Sequence, residues 1–183
     1  DGTLEELTNP FTWEEIHAVV CQLRPGASPG PDKLSNELLR LAGMGFEMAL
    51  AQLFNEVWLT LSWPTQWRVA DLIPIYKKTG DKQDPSNYRM IALMNALSKV
   101  FETLLNRRLY DWAERVAALS DLQGGFRSGR GTIDQIFILN EIVTSRTEQV
   151  LPTFTAFIDV AKAYDTVWRP GLWPKLDSAG LDP

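Results

Sequence analysis

Two short runs with β character, residues 69–76 and 88–93, stand in a chain whose other regular segments mostly carry helical periodicity. Between them lie Thr79-Gly80-Asp81-Lys82 and Asp84-Pro85-Ser86-Asn87. These residue types form turns because Gly tolerates positive φ, while Asp, Asn and Ser bond their own backbone. The pattern predicts an antiparallel hairpin with a basic tip. Pro74 has no N–H to give to a ladder, so its strand is expected at an edge or with a bulge.

The remaining segments read mainly as helices. Residues 13–23 place Ile16, Val19, Val20 and Leu23 at helical spacing, and Thr12 with Glu15 matches a capping box. Residues 24–32 hold Pro25, Gly26, Pro29, Gly30 and Pro31, too many breakers for helix or strand. Residues 35–41 and 46–61 follow as helices, the second apolar nearly all round and therefore expected in the core. Residues 95–117 form a long amphipathic pattern, with Lys99, Arg107 and Arg108 expected on its solvated face. A Gly- and Arg-rich loop at 123–131 precedes a helix at 133–144. Residues 153–160 read as a buried strand, and 164–176 as a turn entering a helix.

With 45% apolar and 22% charged residues, the 183-residue chain suits a packed globular domain and not a disordered or fibrous one. Trp63, Trp67 and Trp112 are expected in its core. The net charge of -5 conceals an asymmetry: residues 1–60 carry -6 and residues 61–111 carry +3. Any nucleic-acid contact has to use that central basic stretch or a local patch. Cys21 is the sole cysteine and His17 the sole histidine, so an internal disulfide and a His-rich metal site are excluded. A Cys–His catalytic pair is not expected, both residues read as structural, and any metal must rest on carboxylates. No apolar run has the length of a membrane span and the first residues lack signal-peptide character, which predicts a soluble, intracellular chain. The missing initiator Met suggests a fragment.

The run Phe154-Thr155-Ala156-Phe157-Ile158 delivers Asp159 at or near a strand end. A carboxylate placed there can hold Mg²⁺ through hard oxygen ligands. The bare pattern also fits a helix cap or a salt-bridged Asp. Asp165 is open in the same way, as a converging partner or as a cap for the helix that follows.

Asp159-Val160-Ala161-Lys162-Ala163-Tyr164-Asp165 resembles the first catalytic motif of the reverse transcriptases of non-LTR (LINE-type) retrotransposons. Four further stretches resemble that family in its order. They are Gly30-Pro31-Asp32-Lys33, residues 63–81 around Ile73-Pro74-Ile75-Tyr76-Lys77-Lys78, residues 84–102 from Asp84-Pro85-Ser86-Asn87-Tyr88-Arg89, and Gln123-Gly124-Gly125-Phe126-Arg127-Ser128-Gly129-Arg130-Gly131. Met90 stands where the family usually has Pro, and Gly124 where a bulkier residue is common. The family's second catalytic motif, aromatic-Ala-Asp-Asp, is missing, and no Asp-Asp pair occurs in the 183 residues.

The resemblance implies an α+β fold: the fingers and partial palm of a right-hand polymerase, helix-rich with a β-hairpin and the first palm strand. Residues 1–150 would be an N-terminal extension and fingers, and residues 151–183 the start of the palm. It implies an RNA-directed DNA polymerase acting on an RNA template, a DNA primer and dNTPs, with two Mg²⁺ ions, no membrane, and the rest of the palm and thumb as missing partners. Asp159 would be the catalytic metal ligand, helped by the Val160 carbonyl. Tyr164 would lie under the incoming sugar or simply pack the palm. Arg89 would grip the triphosphate with Lys77 or Lys78, the lysines fitting a solvated turn equally well. Gln123, Arg127 and Arg130 would line the template path, while Phe126 is expected in the core and Arg127 could instead pair with an acid such as Asp134. A fragment without the second motif would be inactive alone. The alternative is a non-catalytic remnant that binds nucleic acid or protein.

Overall fold

Thr12 opens the first helix by accepting a hydrogen bond from the Glu15 N–H, while the Glu15 carboxylate accepts one from the Thr12 N–H. The computed structural model describes residues 6–181. Its elements are α1 (Trp13–Cys21), α2 (Asn36–Leu41), α3 (Gly43–Thr60), β1 (Ala70–Tyr76), β2 (Tyr88–Met94), α4 (Ala96–Arg115), α5 (Thr132–Glu148) and α6 (Arg169–Ser178). Short 3-10 turns at Thr65–Arg68 and Pro85–Asn87 precede the two strands. The mixture of helices with a small antiparallel sheet is α+β.

The chain divides into two compact units, Asp1–Trp112 and Ala113–Pro183. In the first, apolar stripes of α1, α3 and α4 close on one another around Phe101. That ring meets Phe11, Phe54, Trp63 and Trp67 at centroid distances of 5.2–5.7 Å. Trp67 and Trp112 are buried as expected, and Trp63 packs against the same cluster. The all-round apolar reading of the third helix is corrected: α3 buries one stripe, Glu47, Leu50, Phe54 and Val57, while Leu59 and Leu61 face solvent. Arg108 is not on a solvated face. Its guanidinium forms two hydrogen bonds to Glu15, at 2.8 Å each, and reaches the carbonyls of Leu7, Asn9 and Pro10, lying over the Phe11 ring.

β1 and β2 pair antiparallel without interruption, from Ala70 opposite Met94 to Tyr76 opposite Tyr88. The ladder explains how Pro74 is accommodated without the bulge that was one expectation. Lys77 N–H donates to the Asn87 carbonyl, which marks that pair as hydrogen-bonded. Alternation then makes Pro74–Met90 a non-hydrogen-bonded pair, where the missing N–H costs the sheet nothing. With two strands, both are edges.

Two expectations fail in the second unit, and one of the two alternatives for Asp165 is removed. Residues 153–160 form no strand, and Phe154, Phe157 and Ile158 are exposed. A strand exists only through hydrogen bonds to a neighbour, and the two strands among the described residues pair with each other. The first palm strand is therefore not formed here, nor is it buried. Phe126, expected in the core, is 87% exposed at φ +61. Asp165 does not cap the last helix, because α6 begins at Arg169 after Trp168. Among the described residues of this unit none is buried; α5 forms, as its period predicted, but Ile133, Phe137 and Ile142 remain exposed.

Candidate functional site

The hairpin grows from a root gripped by the Pro- and Gly-rich loop. A side chain at Gly30 would place a Cβ 2.2 Å from the Met94 carbonyl oxygen, so only glycine lets the loop lie against the end of β2. Two residues on, Asp32 Oδ2 accepts from the Ala96 N–H at 2.7 Å, supplying an acceptor for an otherwise orphan donor at the start of α4. Asn95, buried between them, accepts from the Asp32 N–H and donates to the Gln66 carbonyl. Lys33 Nζ lies 3.8 Å from Asp71 on β1. The Gly-Pro-Asp-Lys stretch thus holds both strands at their base. Asn95 stands where the sequence would place a helix cap, but its side chain is spent on Asp32 and Gln66, and the acceptor for α4 comes from Asp32.

From that root the hairpin presents Arg89 on the face it shares with Ile73, Ile75 and Ile91. The middle of the ladder is exposed on both faces, and no hydrogen bond or ion pair among the described residues holds the side chain of Arg89 or Lys78. Lys78 sits at φ +61, which turns the chain away from β1. Lys77 is different: its ammonium donates to the Ser86 carbonyl at 2.7 Å. The tip is stapled by Tyr76 Oη to the Gly80 carbonyl, Tyr88 Oη to the Lys82 carbonyl and Asn87 to the Asp81 carbonyl. Asp84 accepts from the Ser86 hydroxyl and N–H, which together with the Lys77 charge hold its carboxyl below the usual range. Asp81 and Asp84 offset two of the lysines Lys77, Lys78 and Lys82, so the tip is less basic than its lysines alone suggest.

In the second unit the Gly- and Arg-rich loop is organised by Arg127. Its side chain is 8% exposed and forks onto Glu114 at 2.8 and 2.6 Å, with a third bond to the Ser120 carbonyl. The acids that pair with it are Glu114 and, at 3.7 Å, Asp121, not Asp134, whose carboxylate instead accepts from the Gly131 N–H at the start of α5. Arg130 pairs with Asp121 at 2.9 Å, and Gln123 donates to the Gly125 carbonyl. Glu114 and Asp121 went unnoticed in the sequence because their partners lie 13 and 9 residues away, outside any helical spacing.

Asp159 and Val160 lie on the exposed extended stretch, and Tyr164 is 80% exposed in the turn after it. A divalent ion of this kind takes about six oxygen ligands. Among the described residues no group of three or more His, Cys, Asp or Glu could hold one. One carboxylate and one carbonyl do not make a metal centre, so the residues present do not fit the two-ion site that the resemblance implies. No helix among the described residues is long and apolar enough to cross a membrane.

Residues 75–183 match the family model for reverse transcriptase (RNA-dependent DNA polymerase). The chain is 32% identical over 167 residues to a probable RNA-directed DNA polymerase from transposon BS of Drosophila melanogaster, a match covering 91% of this chain and 18% of that protein. It is 32% identical over 177 residues to the RNA-directed DNA polymerase from mobile element jockey of the same species, covering 92% and 19%. A Pol polyprotein from type-1 retrotransposable element R2 of Popillia japonica is 30% identical over 176 residues, covering 94% and 23%. The chain thus spans about a fifth of the length of these curated relatives. It belongs to the reverse transcriptase family, and within it to the RNA-directed DNA polymerases of non-LTR retrotransposons.

Proposed function

We propose that residues 1–183 supply the fingers and the first part of the palm of an RNA-directed DNA polymerase, which extends a DNA primer on an RNA template with dNTPs. The observation that carries this reading is Arg89: a guanidinium without a partner among the described residues, on an exposed hairpin inside the stretch that matches the family model. Arg gives a planar two-pronged grip on phosphate, and Lys78 adds a point charge from the turn. The boundary between fingers and palm at 150/151 belongs to this proposal, whereas the division after Trp112 is one of packing.

In this reading Gln123 and Arg130 meet the template, and Arg127 contributes by holding the loop in shape through Glu114. Tyr164 lies under the incoming sugar. Asp159, with the Val160 carbonyl, is the first contribution to a two-ion centre whose other carboxylates residues 1–183 do not contain, so this stretch alone binds primer–template without extending it. An intracellular location goes with such a substrate.

The absent Asp-Asp pair equally favours a second reading, a remnant that binds nucleic acid or protein without chemistry. Two assays on the purified chain separate the possibilities. Mg²⁺-dependent primer extension is expected to be undetectable, and its detection would overturn the claim of inactivity. Primer–template binding is expected to weaken steeply with salt, and Arg130→Ala to reduce the logarithmic salt slope by about one. Binding that is absent at low salt rejects both nucleic-acid readings and leaves protein contact.

A further inference from the structure

Lys77, Lys78 and Lys82 stand at the hairpin tip, and the tip itself uses two of them. The Lys77 ammonium donates to the Ser86 carbonyl at 2.7 Å, and the Lys77 N–H to the Asn87 carbonyl at 2.8 Å. The Lys82 ammonium lies 5.8 Å from the centre of the Tyr76 ring, on which Tyr88 packs at 5.4 Å. Lys78 is left over: among the described residues no hydrogen bond or ion pair holds its side chain.

Its backbone, by contrast, is tied down on both sides. Tyr76 Oη donates to the Gly80 carbonyl at 2.7 Å, closing a bracket over residues 76–80 with Lys78 in the middle. Just beyond, the Asn87 amide donates to the Asp81 carbonyl at 2.8 Å and joins the turn to the returning limb. Lys78 sits at φ +61, a left-handed conformation that a residue with a Cβ adopts at a cost and keeps only where its surroundings impose it. The bracket imposes it. Tyr76 is half-buried in a tip that is otherwise mostly exposed, and its ring is held by Tyr88 and Lys82, so packing aims the hydroxyl. In the ladder, Tyr76–Tyr88 is one step beyond Ile75–Arg89, and alternation puts the tyrosines on the face opposite Arg89. They brace the turn without covering the guanidinium.

We propose that Tyr76 is a positioning residue of the triphosphate grip: its hydroxyl fixes the Lys78 turn relative to Arg89, so that the ammonium and the guanidinium meet the same triphosphate. This rests on the reading of the hairpin as the site of dNTP contact. Without the hydroxyl the turn samples several conformations, and affinity falls with the fraction of chains that hold Lys78 in place.

The test is steady-state primer extension by a longer, polymerase-active chain that contains these residues, with the KM for dNTP and kcat read separately. Lys78→Ala and Tyr76→Phe are each expected to raise the KM about threefold with kcat little changed. The double variant should raise it no further than Lys78→Ala alone, because the hydroxyl acts through that lysine. Tyr88→Phe loses the bond to the Lys82 carbonyl, outside the bracket, and is expected to keep a KM near that of the parent. An unchanged KM in Arg89→Ala overturns the triphosphate reading and this proposal with it. Where Arg89→Ala does raise the KM, three results overturn the positioning role alone: an unchanged KM in Lys78→Ala or Tyr76→Phe, effects that multiply in the double variant, or a Tyr88→Phe effect equal to that of Tyr76→Phe.

Discussion

The Asp32 carboxylate accepts a hydrogen bond from the Ala96 backbone N–H at 2.7 Å, joining the Gly-Pro-Asp loop to the start of α4 across 64 residues of sequence. Removing it leaves a helix-start donor without its acceptor, so Asp32→Ala is expected to lower stability by about 1–2 kcal/mol in urea unfolding.

Two glycines give a sharper contrast. Gly30→Ala pushes a methyl into the Met94 backbone, where nothing flexible can give way, and is expected to cost about 1–3 kcal/mol. Gly45, inside α3 with open space around its Cβ position, should gain up to about 1 kcal/mol as Ala. The two urea midpoints should move in opposite directions; a shared direction contradicts the clamp.

The Glu15–Arg108 pair predicts an acid limb. Burial raises the Glu15 pKa, but the Arg108 hydrogen bond, the Thr12 N–H and the Arg108 charge outweigh it and leave the pKa lowered. Because the folded value lies below the unfolded one, the stabilisation is fully present above the ordinary glutamate pKa of about 4.5 and is lost as pH falls through the folded value. Glu15→Gln is expected to lose on the order of 1 kcal/mol at pH 7 and to show a flatter decline below pH 5 in thermal unfolding.

Arg127 and Arg130 should separate by measurement. Arg127→Ala removes a partly buried fork and is expected to raise amide exchange throughout residues 118–131. Arg130→Ala should leave that exchange nearly unchanged while reducing the salt slope of primer–template binding by about one. Equal effects on both readouts contradict the division of roles.

In a longer, polymerase-active chain, Arg89→Ala is expected to raise the KM for dNTP by about tenfold or more, and Lys78→Ala by less, in steady-state primer extension. An unchanged KM for Arg89→Ala removes the triphosphate role.

Most helices and the hairpin were legible because their signals are local. The Thr12–Glu15 box, the turn residues at 79–87 and the 3.6-residue period of α4 each act within a few positions. The candidate site was legible as a set of residues but not as an arrangement. Nothing near Arg127 in the sequence points to Glu114, nor anything near Arg108 to Glu15, and the apolar face of residues 133–144 gave no sign that it would stay exposed. His17 stands on α1, but the carboxylate that holds its ring, Glu47, comes from another helix 30 residues away.

By itself, the sequence determined the family through five ordered motifs, and the helices and hairpin through periodicity and turn chemistry. The tertiary structure alone decided that Gly-Pro-Asp is the root of the hairpin, that Arg127 is held by Glu114, and that residues 153–160 do not form a strand. The difference is physical. A helix or a two-residue cap satisfies its backbone within its own segment, whereas a strand, a buried ion pair or a clamp needs partners that the chain must bring from elsewhere.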